Sequence, residues 1–219
     1  MKLVRHPAAM PAETLLVRLP GAYMTPQYFV DAGFVAARDG CGKAIDLAIA
    51  GLDLANITDG SALPALHDEI LRPARRDYRH VWLGGISLGG FLALLHAARH
   101  PGEVDGLCLF APYPGSRITT GAIAAAGGLA AWQPTAEQLA DPEFELWAWL
   151  KSDAAKPPIH IDYGRDDRFA DGMAALATAI AAALPQARVR TRPGGHDWPV
   201  WSAAWNDFLA AGLPLAEGH

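Results

Sequence analysis

Cysteine is scarce in this chain: two of its 219 residues, Cys41 and Cys108. Neither has metal-ligand spacing, and Cys108, inside the apolar run Leu107-Cys108-Leu109-Phe110, is expected to be a buried reduced thiol. Long apolar runs are missing too, for no span reaches the roughly 18 residues that a membrane helix needs. The opening Met1-Lys2-Leu3-Val4-Arg5-His6-Pro7 is too broken by polar residues and proline to act as a signal peptide. Charge is sparse, at 19% of residues with a net charge of -5 and no block of lysine or arginine. Such a surface argues against nucleic acid and against an anionic membrane as natural partners. The expectation is a cytoplasmic protein with no nucleic-acid partner and no membrane insertion.

What the chain does have is apolar residues, 51% of the total, enough for one large core and a single domain over residues 1–219. Residues 1–14 show no clear period and read as a lead-in. Beyond them short apolar segments alternate with helical patterns. Strands are predicted at 15–19, 44–50, 81–83, 104–110, 159–163 and 188–192, with helices near 28–35, 63–76, 91–98, 173–184 and 200–209. This rhythm implies an α/β fold: a six-stranded, mostly parallel sheet covered by helices on both faces. It lapses between residues 112 and 156. Pro112, Pro114 and Gly115 open that stretch, a Gly/Ala tract fills 121–131, and two helix starts follow, at Thr135 with Gln138 three residues on and at Asp141 ahead of Pro142. A short helical cap inserted over the strand ends is expected there. Ligands of such sheets bind at the carboxyl ends of the strands, so the turns after them are where chemistry should lie.

The most informative turn is Gly84-Gly85-Ile86-Ser87-Leu88-Gly89-Gly90, which reads as strand, sharp bend, helix. Gly85 and Gly89 remove side chains that would block the bend, leaving Ser87 clear of its neighbours as a candidate nucleophile. A serine hydroxyl is a weak nucleophile at neutral pH and needs a base, held in one tautomer by an acid. The base candidate is His196, in Gly194-Gly195-His196-Asp197-Trp198 after the last strand. His67, His96 and His100 fall on or at the ends of helices, His80 precedes a strand, His160 lies within one, and His6 and His219 are terminal. Those seven read as solvated or core-satisfied side chains. The acid candidate is Asp167, three residues past Gly164, with Asp166 as the open alternative. Asp197 is expected to serve the start of the last helix instead. For the developing oxyanion, one N–H should come from Leu88 and a second from Ala22 or Tyr23, beyond the Pro20-Gly21 turn. Trp147, Trp149 and Trp198 are candidates to wall an apolar acyl site.

The order Ser87, Asp167, His196, each on a turn after a strand, resembles the α/β-hydrolase superfamily over about residues 15–212. It rests on Gly85-Ile86-Ser87-Leu88-Gly89, Gly164-Arg165-Asp166-Asp167 and Gly194-Gly195-His196. The last, continued by Asp197-Trp198, is similar to small serine esterases of the esterase D type. Pro20-Gly21 stands where the superfamily usually has His-Gly. No room remains ahead of Leu15 for the two antiparallel strands of larger members, which implies a minimal six-stranded version. The resemblance implies a serine hydrolase that cleaves a small-to-medium carboxylic ester through an acyl-enzyme, takes a small-molecule ester as its partner and needs neither cofactor nor metal. Thioester hydrolysis or acyl transfer would use the same residues. A non-catalytic binding protein on this frame would ordinarily have lost a member of the triad.

Overall fold

The computed structural model describes residues 1–213; His219 lies outside them. Among the described residues are the strands β1 (Lys2–His6), β2 (Thr14–Leu19), β3 (Ile45–Gly51), β4 (His80–Ile86), β5 (Gly106–Phe110), β6 (Ile159–Gly164) and β7 (Arg188–Arg192). They form one sheet in the order β1-β3-β2-β4-β5-β6-β7. Strands β2 to β7 run parallel to their neighbours, and β1 pairs antiparallel with β3 at one edge. Between β2 and β3 lie α1 (Pro26–Asp31) and α2 (Phe34–Gly40). The next connection holds α3 (Leu54–Thr58), α4 (Ala62–Ala65) and α5 (Arg72–Asp77), with a π-helical turn, Leu66–Leu71, joining the last two. Helix α6 (Leu88–Arg99) follows β4; α7 (Arg117–Ala125), α8 (Ala136–Leu139) and α9 (Pro142–Lys151) separate β5 from β6; α10 (Ala170–Ala183) and α11 (Trp198–Ala211) follow β6 and β7.

The sheet therefore has seven strands rather than six, and the extra one falls in the supposed lead-in. Its residues explain why no period was legible: Lys2 and Arg5 are exposed and Leu3 and Val4 only half-buried. An edge strand packed on one partner needs no continuous apolar run. In the interior, β2, β5 and β6 are buried at every residue, as parallel strands covered on both faces must be. Each large apolar side chain withdrawn from water there contributes roughly 1.5–3 kcal/mol. The opposite edge, β7, is exposed along most of its length, and its three arginines make it a poor template for pairing with another chain. Cys41 and Cys108 are both free thiols. Burial pushes Cys108 up to about 12, which makes it an inert core residue.

Residues 112–156 hold three helices, and the two starts expected from sequence are both there. Thr135 caps α8 in a reciprocal box with Gln138, and the Asp141 side chain accepts from Glu143 N ahead of α9. Glu143 ties the segment together. Its carboxylate accepts from Tyr113 Oη (3.0 Å), Ser116 N (2.7 Å) and Thr119 Oγ1 (2.6 Å). Burial by itself would raise this carboxyl, but the hydrogen bonds from Thr119, Ser116 and Tyr113 outweigh it and hold the pKa below its ordinary 4.5. A depressed carboxyl pKa contributes stability above the unfolded value that disappears as pH falls through the folded one. Glu143→Gln should thus lower the thermal midpoint by about 2–8 °C at pH 7, for a loss of ~1–2 kcal/mol. The gap between the two proteins should be smaller at about pH 3, well below the ordinary carboxyl value, than at pH 7. Calorimetry at both pH values checks this, and equal midpoints at pH 7 would show that the anchor is worth nothing.

Candidate active site

Ser87 sits directly after β4 as the N-cap of α6, with φ 53° and ψ -117°. A non-glycine residue in that region is strained by about 1–3 kcal/mol and persists only where its surroundings impose it. Here they do. A Cβ on Gly85 would run into the backbone of Gly89 and Gly90, and one on Gly89 into the carbonyls of Leu19 and Pro20. The bend is further fixed by Ser87 N, which donates to Phe110 O (3.1 Å), and by Ser87 O, which accepts from Tyr113 N (2.9 Å).

His196 and Asp167 are brought together across β6 and β7. His196 Nδ1 and Asp167 Oδ2 lie 2.5 Å apart, with the Asp167 side chain fully buried and that of His196 13% exposed. The other carboxylate oxygen accepts from Phe169 N (2.9 Å), so Asp167 faces the imidazole with both oxygens engaged. Because the carboxylate can only accept, Nδ1 carries the proton and Nε2 is left as the basic nitrogen. Asp166, the alternative acid, turns the other way: its Oδ2 accepts from Gly194 N (2.9 Å) while its own N–H donates to Gly194 O (3.0 Å). It zips the acid loop to the base loop rather than touching the imidazole. Gly164 is required at the same place, since a Cβ would collide with the Gly194 carbonyl. One step below, Arg192 makes a two-pronged ion pair with the fully buried Asp162 and also reaches Asp207 (3.0 Å). Its hydrogen bonds to Asp162 hold the guanidinium well above its ordinary pKa. The strand ends carrying Asp167 and His196 are thereby locked in register. Asp197 caps α11, accepting from Val200 N (3.2 Å).

Register puts all three side chains at one end of the sheet, for Ile86 pairs with Phe110, Phe110 with Asp162, and Gly164 with Arg192. Rings lead from there to the imidazole: Tyr113, whose backbone N–H donates to Ser87 O, meets Phe169 edge-on at 5.7 Å, and Phe169 meets His196 at 5.6 Å. Among the described residues no hydrogen bond joins Ser87 Oγ to His196. The Pro20-Gly21 turn flanks the serine from the other side, with a Cβ position on Gly21 3.5 Å from Ile86 O. Among the described residues no acceptor takes up the N–H groups of Ala22, Tyr23 or Leu88. Tyr23 itself has positive φ (62°) and is 85% exposed.

The three tryptophans divide. Trp198, two residues past His196, packs edge-on to Trp201 at 5.2 Å, and Trp201 meets the imidazole at 5.1 Å. Trp147 and Trp149 are core residues of α9: Trp147 is 1% exposed and donates from Nε1 to Pro114 O (2.9 Å). Trp147 also lines a cavity of about 830 Å³ among α7, α9 and α10, and none of Ser87, Asp167 or His196 borders that cavity. Both side chains pack inward, as expected of a helix set against α6 and α10. Phe169, Trp201 and Tyr113 were not singled out from sequence. Only their closeness to Asp167, His196 and Pro112 along the chain hinted at them.

A mostly parallel sheet covered on both faces, with a strained serine on the strand-to-helix bend and a histidine–aspartate pair on later turns, defines an α/β-hydrolase fold. The model of the Esterase family matches residues 63–211; the chain belongs to that family and is a carboxylic ester hydrolase. No curated protein sequence matches it. Among solved structures it is similar to an S-formylglutathione hydrolase from Staphylococcus aureus, at 13% identity and a TM-score of 0.69, over 93% of this chain and 85% of that one. A ferulic acid esterase aligns at 17% identity and 0.62, over 96% and 97% of the two chains. A monoacylglycerol lipase from Paleococcus ferrophilus gives 13% and 0.61, over 96% and 99%. At these identities the likeness is one of fold. No helix among the described residues is long and apolar enough to cross a membrane.

Proposed function

We propose that the chain cleaves small-to-medium carboxylic esters through Ser87, His196 and Asp167, with a covalent acyl-enzyme between two half-reactions. The observation that carries this reading is the buried Asp167 carboxylate on His196 Nδ1, which leaves Nε2 as a base at the rim where the strained Ser87 stands. Ser87 Oγ attacks the ester carbonyl as its proton passes to Nε2; the imidazolium returns that proton to the departing alcohol. Water, deprotonated by the same nitrogen, then attacks the acyl carbon, and the acid leaves as the acyl–Oγ bond breaks and the imidazolium returns the proton to Ser87 Oγ. Catalytic hydrogen bonds are often long before substrate binds, so attack requires Ser87 and His196 to close to about 2.6–3.2 Å. Leu88 N–H and the N–H of Ala22 or Tyr23 receive the oxyanion, the first aided by the positive end of α6. We read residues 112–156 as the cap of a single domain, pinned to Ser87 through Tyr113. Trp198 and Trp201 form an aromatic side to the site. Two free cysteines are in keeping with the cytoplasm.

A fluorophosphonate probe tests the nucleophile without knowledge of the substrate. One equivalent should attach, mapping to the peptide that contains Ser87, and pre-labelled protein should no longer hydrolyse p-nitrophenyl acetate. Labelling of folded protein at any other residue, or none, would remove Ser87 from the role. A graded series of acyl esters and thioesters then defines the acyl length accepted.

A further inference from the structure

Far from the candidate active site, at the other end of α6, three histidines meet. His96 lies in the last turn of the helix, His100 is its C-cap, and His67 comes from the π-helical turn Leu66–Leu71. One nitrogen from each lies within 4.8 Å of the other two. The rings of His67 and His100 stack at 3.9 Å, and those of His96 and His100 at 4.7 Å. Buried polar atoms are almost always hydrogen-bonded. Here His96 is 0% exposed, yet neither of its nitrogens has a partner, and buried Nδ1 of His67 has none either. Neither the solvated nor the core-satisfied reading of these histidines describes such an arrangement.

We propose that His67, His96 and His100 bind a divalent transition-metal ion of zinc-like preference, holding α6 to the connection between β3 and β4. Three neutral imidazoles suit an ion that prefers nitrogen to oxygen ligands, with a water completing a tetrahedron. At Zn–N distances of about 2.0–2.1 Å, tetrahedral ligand nitrogens stand roughly 3.4 Å apart. The three nitrogens, all within 4.8 Å of one another, are within reach of that spacing through ring rotations that unstack the imidazoles. Neutral imidazole is the form that coordinates. The surrounding charge is compatible. Glu103 and Asp68 act on His100 from the acidic side. Arg99 opposes them, but its guanidinium is taken up by both oxygens of Glu145 (2.9 and 2.6 Å). The carbonyl end of α6 adds its own negative potential. π-helical turns are rare and frequently occur where a protein has a site to build.

The test uses the full chain, dialysed against chelator and titrated with Co²⁺, whose visible absorption reports tetrahedral nitrogen coordination, and separately with Zn²⁺. One Co²⁺ per chain should bind with an intense visible band and be displaced by Zn²⁺, and Zn²⁺ should raise the thermal midpoint by several degrees. Loss of a partner behind a ligand commonly weakens metal binding 10–100-fold, so His67→Gln and His100→Gln should each weaken Co²⁺ at least ~100-fold. Both residues are half-buried, so the metal-free midpoint of each variant checks its fold, and if one does not fold the other decides. Hydrolysis of p-nitrophenyl acetate should persist in both. Absence of the band, an unmoved midpoint, or Co²⁺ binding that survives both substitutions would overturn the proposal.

Discussion

Ser87→Ala should reduce kcat/KM for p-nitrophenyl acetate by at least ~10⁴-fold while leaving the fold intact. The size follows from the chemistry: without the hydroxyl no acyl-enzyme forms, and only binding and the oxyanion donors remain to assist water. Asp167→Asn should cost a similar factor for a different reason. An amide in place of the carboxylate no longer holds the Nδ1–H tautomer, so Nε2 ceases to be the free base. Added to Ser87→Ala, the second change should do almost nothing further, since the residues act as one unit. A glycine at position 87 separates catalysis from strain. It adopts φ 53° freely, so Ser87→Gly should be inactive but more stable than the parent by ~1 kcal/mol, some 2–4 °C. Steady-state kinetics beside thermal melts checks all of these. Retained turnover in Ser87→Ala would leave the proposed mechanism without its nucleophile.

The largest stability effect is expected at Gly85. A methyl group there would penetrate the backbone of Gly89 and Gly90, and backbone, unlike the tip of a flexible side chain, cannot step aside cheaply. Gly85→Ala should destabilise by ~3 kcal/mol or more, lowering the midpoint by about 6–12 °C, and should abolish activity by lifting α6 away from β4. Gly121 is the matched control. It lies in α7, where a Cβ meets nothing within 4 Å, so Gly121→Ala should be neutral or stabilising by ~0.5–1 kcal/mol. If both substitutions have the same effect, the close helix–strand contact is not what holds the bend.

The interior strands were legible in sequence because each is buried on both faces and reads as an apolar run between turn residues. Helix starts such as Thr135 with Gln138 and Asp141 with Pro142 were legible because capping is local. β1 was not, since a half-solvated edge strand makes its case only once β3 lies beside it. Ser87, Asp167 and His196 stand on turns, which sequence spacing describes well. Which aspartate faces the imidazole was left open, because two adjacent side chains differ only in the direction that the folded loop gives them; hydrogen bonding of Asp166 to Gly194 turns it aside. The packing of Trp147 and Trp149 was not legible either, since an aromatic helix reads the same whether its face meets a substrate or α6 and α10.

His96 and His100 stand one helical turn apart on α6, but sequence set them aside as solvated or core-satisfied side chains. His67, 29 positions before His96, joins them only through the packing of the π-helical turn on α6. The sequence by itself determined the local conformations and the chemistry available at each turn, because both depend on neighbours along the chain. The tertiary structure alone decided which groups from distant turns share a proton, a wall or a ligand set. Those outcomes depend on strand order and on the direction in which each loop leaves the sheet.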